Sequence, residues 1–142
     1  SRMQKILRDE KSLVLTASTF LLSGEQPGLF IAFGIVNSGV EVNTLQSEMD
    51  QIIAGLQEAP ISDKEFQKVR NQVENDFISS NSTVAGIAES LANYHMYYGD
   101  AGLINTEIER YMAVTPEQIQ AAAKRYLRPD GRVILYYMPK SN

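Results

Sequence analysis

Few side chains in this sequence could do chemistry. There is one histidine, His95, and no cysteine, so disulfides and thiolate metal sites are excluded and two imidazoles cannot meet at any spacing. His95 stands in Tyr94-His95-Met96-Tyr97-Tyr98, near the end of a helical stretch. It could serve as a proton relay or a ligand, but the simpler role is a helix-end side chain favoured by the dipole when charged. Tyr94, Tyr97 and Tyr98 could stack on a ligand; packing or subunit contact explains them with less. Glu107 and Glu109 lie two apart, so on a helix they face different ways and form no carboxylate pair. Asn81-Ser82-Thr83 has the form of a glycosylation sequon and is read as chance in a helical bend. No glycine-rich phosphate loop occurs, and no Ser-His-Asp signature.

Composition narrows the classes further. A chain of 142 residues fits a single domain and can bury roughly 68% of its unfolded surface. With 13 basic and 17 acidic residues the net charge is -4. No basic block gathers anywhere, so no nucleic acid is expected as a partner. No uncharged apolar run reaches the ~18 residues of a membrane span, and the N-terminus lacks signal-peptide shape.

The elements are written in the hydrophobic pattern. Arg2, Lys5, Arg8 and Lys11 would line one side of an opening helix, with Met3, Ile6 and Leu7 on the core side. Because Ser1 reads as already helical, the chain is expected to be a fragment. Leu13 to Leu22 is a charge-free, β-prone strand. A Gly/Pro turn at Ser23–Gly28 leads to a second strand, Leu29 to Val36, giving an antiparallel hairpin. Both faces of that hairpin are expected to be covered in part. A helix from about Glu41 to Glu58 carries Val42, Leu45, Met49, Ile52, Ile53 and Leu56 on one stripe. Ser62 with Glu65 predicts a capping box, and Ile61 with Phe66 a hydrophobic staple. That helix breaks at Ser79–Thr83 and resumes from Val84 to about Tyr98. Asp100 caps a short helix with Leu103, Ile104, Ile108 and Tyr111. Thr115-Pro116-Glu117-Gln118 starts another, stopped before Pro129. Arg132 to Met138 reads as a last strand closed by Pro139. The order predicts an α+β fold, a mainly antiparallel sheet with helices packed on one side.

Ser1-Arg2-Met3, Leu7-Arg8-Asp9-Glu10 and Leu13-Val14-Leu15 together resemble the insulinase-like (pitrilysin-type) zinc metallopeptidases. The form is Ser-Arg-Leu, then Leu-Arg-Glu-Glu/Asp, then Leu-Ala/Gly-Tyr entering a strand. The Pro60-to-Glu65 helix start, the Gly99-Asp100 break, Val114-to-Ile119 and Tyr126-to-Pro129 also match. The resemblance is narrower still to the non-catalytic C-terminal domain of that paired architecture, whose further strands precede the position of Ser1. One departure stands out: Leu15 replaces the family tyrosine.

The resemblance implies a single domain over 1–142, the C-terminal portion of an insulinase-like peptidase domain without the His-x-x-Glu-His zinc motif. This chain alone is expected to be inactive and to hold no cofactor. Zinc belongs to a catalytic domain of the same or a partner polypeptide, which with this half would hydrolyse a peptide substrate. Catalytic and metal residues are none. The substrate-binding residue is Arg8: in the family, the arginine at its position and the tyrosine seven residues on face the catalytic domain and hold the substrate backbone. A guanidinium suits that task, offering several fixed donors without losing its charge. The alternative is a degenerate relative that acts only as a structural or interaction domain. Self-association through an open strand edge, or through the apolar surface that the missing segment covered, is also expected.

Overall fold

The computed structural model describes residues 1–23 and 27–138. The centre of the expected turn, 24–26, and Pro139 lie outside the described residues. The chain forms two compact units: Ser1–Ala59 with the residues from Ala122 onward, and Pro60–Ala121.

In the first unit Ser1 Oγ accepts the Gln4 N–H at 3.2 Å and opens a helix. Over Gln4–Glu10 this helix is of the wide π type. The Lys11 N–H reaches Ile6 O at 3.0 Å, and the Leu13 N–H reaches Leu7 O at 2.8 Å. Ser12 then reverses the chain at φ 54°, a left-handed conformation that few non-glycine residues adopt. The corner is pinned at both ends, since Leu7 is fully buried and Val14 nearly so.

β1 (Val14–Leu22) pairs antiparallel with β2 (Leu29–Val36). Val14 pairs with Val36 and Thr16 with Ile35, so Leu15 is an extra residue, a β-bulge. The bulge has a packing consequence. Val14 and Ala17 are three apart and would point to opposite faces of a regular strand. With one residue inserted, both are buried on the same core. The core also takes Met3 and Leu7 from the π-helix, and Leu45 and Ile52 from α1 (Val42–Glu58). Helices therefore cover one face of the hairpin. The other face, with Leu15, Phe33 and Ile35, is exposed, which corrects the expectation of cover on both.

Among the described residues the sheet has two strands. The third, expected at Arg132 to Met138, forms no ladder among the described residues, because no neighbouring strand offers it backbone partners. Side chains hold it instead. Arg132 binds Asp50 through both carboxylate oxygens, Nη2 to Oδ2 at 2.9 Å, and the Tyr136 hydroxyl donates to Gln46. Alternate residues Val133, Leu135 and Tyr137 are fully exposed. Gln57 Nε2 donates to the carbonyls of Ala123 (3.2 Å) and Leu127 (2.9 Å), satisfying carbonyls at the end of α5 (Pro116–Tyr126).

The second unit is helical. Ser62 Oγ accepts the Glu65 N–H at 3.4 Å and starts α2 (Asp63–Ser80). Asn81 ends it, donating its side-chain amide to Phe77 O at 2.9 Å. Thr83 caps α3 (Val84–Tyr98), and Gly99 closes it at φ 74°. The expected short helix divides into a 3-10 turn, Ala101–Asn105, and α4 (Glu107–Met112). Arg70 Nε contacts Met112 Sδ at 3.2 Å, joining α2 to α4. Thr115 and Gln118 make the full reciprocal box at the start of α5, at 2.9 and 3.3 Å.

Candidate functional site

Arg8 sits on the π-helix one residue after the fully buried Leu7, and is itself exposed. On the same corner Glu10 pairs with Lys5 at 3.5 Å, and Glu48 is engaged by Lys11. Its guanidinium has no hydrogen bond or ion pair among the described residues. Its backbone carbonyl accepts the Ser12 N–H at 3.1 Å and the Lys11 N–H. Seven residues on, Leu15 is 59% exposed on its bulge. Both motif positions thus fall on local irregularities, a wide helix turn and a strand insertion. Such irregularities re-aim side chains away from the regular lattice.

The segment that carries both is closed by a tie that the sequence does not announce. Gln4 Oε1 accepts the Ala17 N–H of β1 at 2.8 Å. Nothing in the spacing of the sequence marks this residue as a link to β1. The cluster at Asp50, Gln46, Arg132 and Tyr136 was likewise invisible, since its partners are more than eighty residues apart. Asp50 is held below its ordinary carboxylate value, first by the hydrogen bond from Arg132 and against its partial burial; the same bond raises Arg132. Segment 132–138 is fastened to this polar side of α1 at Asp50 and Gln46.

The remaining candidates are not gathered into a site. His95 is exposed at the end of α3. Tyr94 tilts against Tyr98 with ring centroids 6.3 Å apart, and desolvation followed by the Glu107 charge raises its pKa. Glu107 pairs with Arg110 at 3.2 Å. Among the described residues no group of three or more His, Cys, Asp or Glu is placed to hold a metal. With a single histidine and no thiol, the residues present do not fit a zinc site. No helix among them is long and apolar enough to cross a membrane.

The fold recurs in proteases. A protease from Helicobacter pylori superposes with TM-score 0.77 at 23% identity over 90% of this chain and 31% of its own. The structure described as the "Inactive Peptidase Domain of a Putative Zinc Protease" from Bordetella parapertussis gives 0.74 at 20% identity, over 92% and 69%. The periplasmic protease PqqL from Escherichia coli gives 0.67 at 17%, over 89% and 14%. The chain thus spans under a third of the first of these. No curated protein sequence matches it. The family model of the peptidase M16 inactive domain matches residues 1–73, just over half of the chain. The chain belongs to the peptidase M16 inactive-domain family.

Proposed function

We propose that this domain is the substrate-clamping half of a zinc peptidase, facing a zinc-bearing catalytic domain of the same or a partner polypeptide. The observation that carries this is the exposed Arg8 guanidinium, unpaired among the described residues on a turn pinned by Leu7. An extended peptide presents main-chain carbonyls, and a fixed fork of charged donors grips them without regard to side chain. The zinc, in the other domain, would supply activated water for peptide-bond hydrolysis. Arg8 would hold the substrate in line for that attack, which is a positional contribution.

Leu15 favours a second reading, a structural or interaction partner without a clamp, because it lacks the hydroxyl that shares the task in the family pattern. Binding separates the two. A fluorescein-labelled, unstructured peptide titrated into the chain should bind, and Arg8→Ala should weaken it. Equal binding by both proteins, or none by wild type, rejects the clamp. The uncovered hairpin face also supports self-association, and light scattering over a concentration series checks it; a monomer throughout would reject it.

A further inference from the structure

Gln4 stands four residues before Arg8 on the same helix. Its setting, Ser1-Arg2-Met3-Gln4, has the form of a capping box, in which the glutamine side chain folds back on the Ser1 amide. Half of the box is made, as Ser1 Oγ accepts the Gln4 N–H at 3.2 Å. The other half is forgone. Gln4 Oε1 instead takes the partly buried Ala17 N–H at 2.8 Å. This fixes the carboxamide on β1, two residues beyond Leu15. It also fixes the ends of the amide, because only the oxygen can accept from a backbone N–H. Nε2 therefore carries its two protons away from that bond, and it has no partner among the described residues.

We propose that Gln4 is the second hydrogen-bond donor of the peptide clamp, supplying at the base of β1 what Leu15 cannot. The inference rests on the clamp reading of Arg8. Its ligand is a main-chain carbonyl of an extended peptide, held by Arg8 and by Gln4 Nε2 together. The Ala17 bond suits the role, since it holds a flexible side chain in one rotamer before the peptide arrives and so lowers the ordering cost of binding. The competing use of Gln4 is a brace that merely satisfies the Ala17 amide at the hairpin edge.

The test uses the whole chain, the same fluorescein-labelled peptide, and hydrogen exchange at the Ala17 amide. Gln4→Met removes both acceptor and donor, and should weaken binding by about 2- to 12-fold while exposing Ala17 to exchange. Adding Leu15→Tyr to Gln4→Met should recover the binding yet leave Ala17 exchanging fast. Gln4→Glu, which keeps an acceptor for Ala17 but has no donor, should weaken binding with Ala17 still protected. Recovery of binding without recovery of the tie identifies a donor. Failure of Leu15→Tyr to restore binding, or full binding by Gln4→Glu, makes Gln4 a brace and overturns the proposal. If Arg8→Ala binds as wild type does, the clamp itself fails, whatever Gln4 does.

Discussion

Gly34 lies directly against Leu45: a side chain begun at position 34 would stand 3.0 Å from Leu45 Cδ2 and 3.5 Å from Val14 Cγ1. The absent Cβ lets α1 settle on the hairpin where the core is formed. Gly34→Val should destabilise the fold by about 1–3 kcal/mol through overpacking. Gly34→Ala should cost less, because the Leu45 side chain can yield a few tenths of an ångström. Thermal unfolding of both variants checks the order, and a Gly34→Val protein as stable as wild type would contradict this packing.

Zinc should find no stoichiometric tight site on this chain, and the isolated chain should cleave no peptide. Calorimetric titration with zinc and a fluorogenic peptide assay test both statements. One tight zinc per chain would sink the assignment of the metal to another domain.

On the proposed clamp, tested in a complete peptidase that contains this domain, Arg8→Ala should remove a charge-assisted hydrogen bond to substrate, about 1.5–3 kcal/mol. That corresponds to roughly 10- to 150-fold in kcat/KM. Leu15→Ala should change stability more than turnover, and Leu15→Tyr should raise turnover. Steady-state kinetics with melting temperatures for the three variants separates these outcomes.

Acid should release the segment 132–138 from α1. Asp50 has a folded-state pKa below its ordinary value of 3.8. Its contribution is therefore present above that value and lost as pH falls through the lower, folded one. Arg132 stays charged throughout. Nuclear magnetic resonance of the Tyr136 ring should show a docked segment at neutral pH and release in strong acid. Asp50→Asn should weaken docking at neutral pH and abolish the acid transition. A Tyr136 signal unchanged by both would reject the Arg132–Asp50 latch.

Much of the fold was legible because its signals are local. Ser62, Asp100 and Thr115 cap helices where the spacing predicts, and the 42–58 stripe buries Leu45 and Ile52. Strand pairing was legible only where both strands lie close in sequence, as with Val14–Leu22 and Leu29–Val36. Arg132 to Met138 has strand composition, but pairing is a property of neighbours, and composition cannot supply one. At the candidate site, Arg8 is proposed from its place in a motif. Gln4 carries no such signal, because its bond to Ala17 joins two elements, and spacing along the chain does not show such a contact.

The bulge at Leu15 sets the parity of β1. Everything from Ala17 onward keeps its face whether or not the extra residue exists, and so does Val14 if the strand loses that one position. Position 15 is then the place where β1 tolerates a change of length better than a change of frame. A deletion there should regularise the pairing of Val14 and Thr16 with Val36 and Ile35, and leave the buried side chains facing the same way. A deletion at any position between Thr16 and Phe20 would turn one end of the strand inside out. A side chain carried on such an insertion is free to vary apart from the core, so a binding residue can be exchanged there without refolding the sheet.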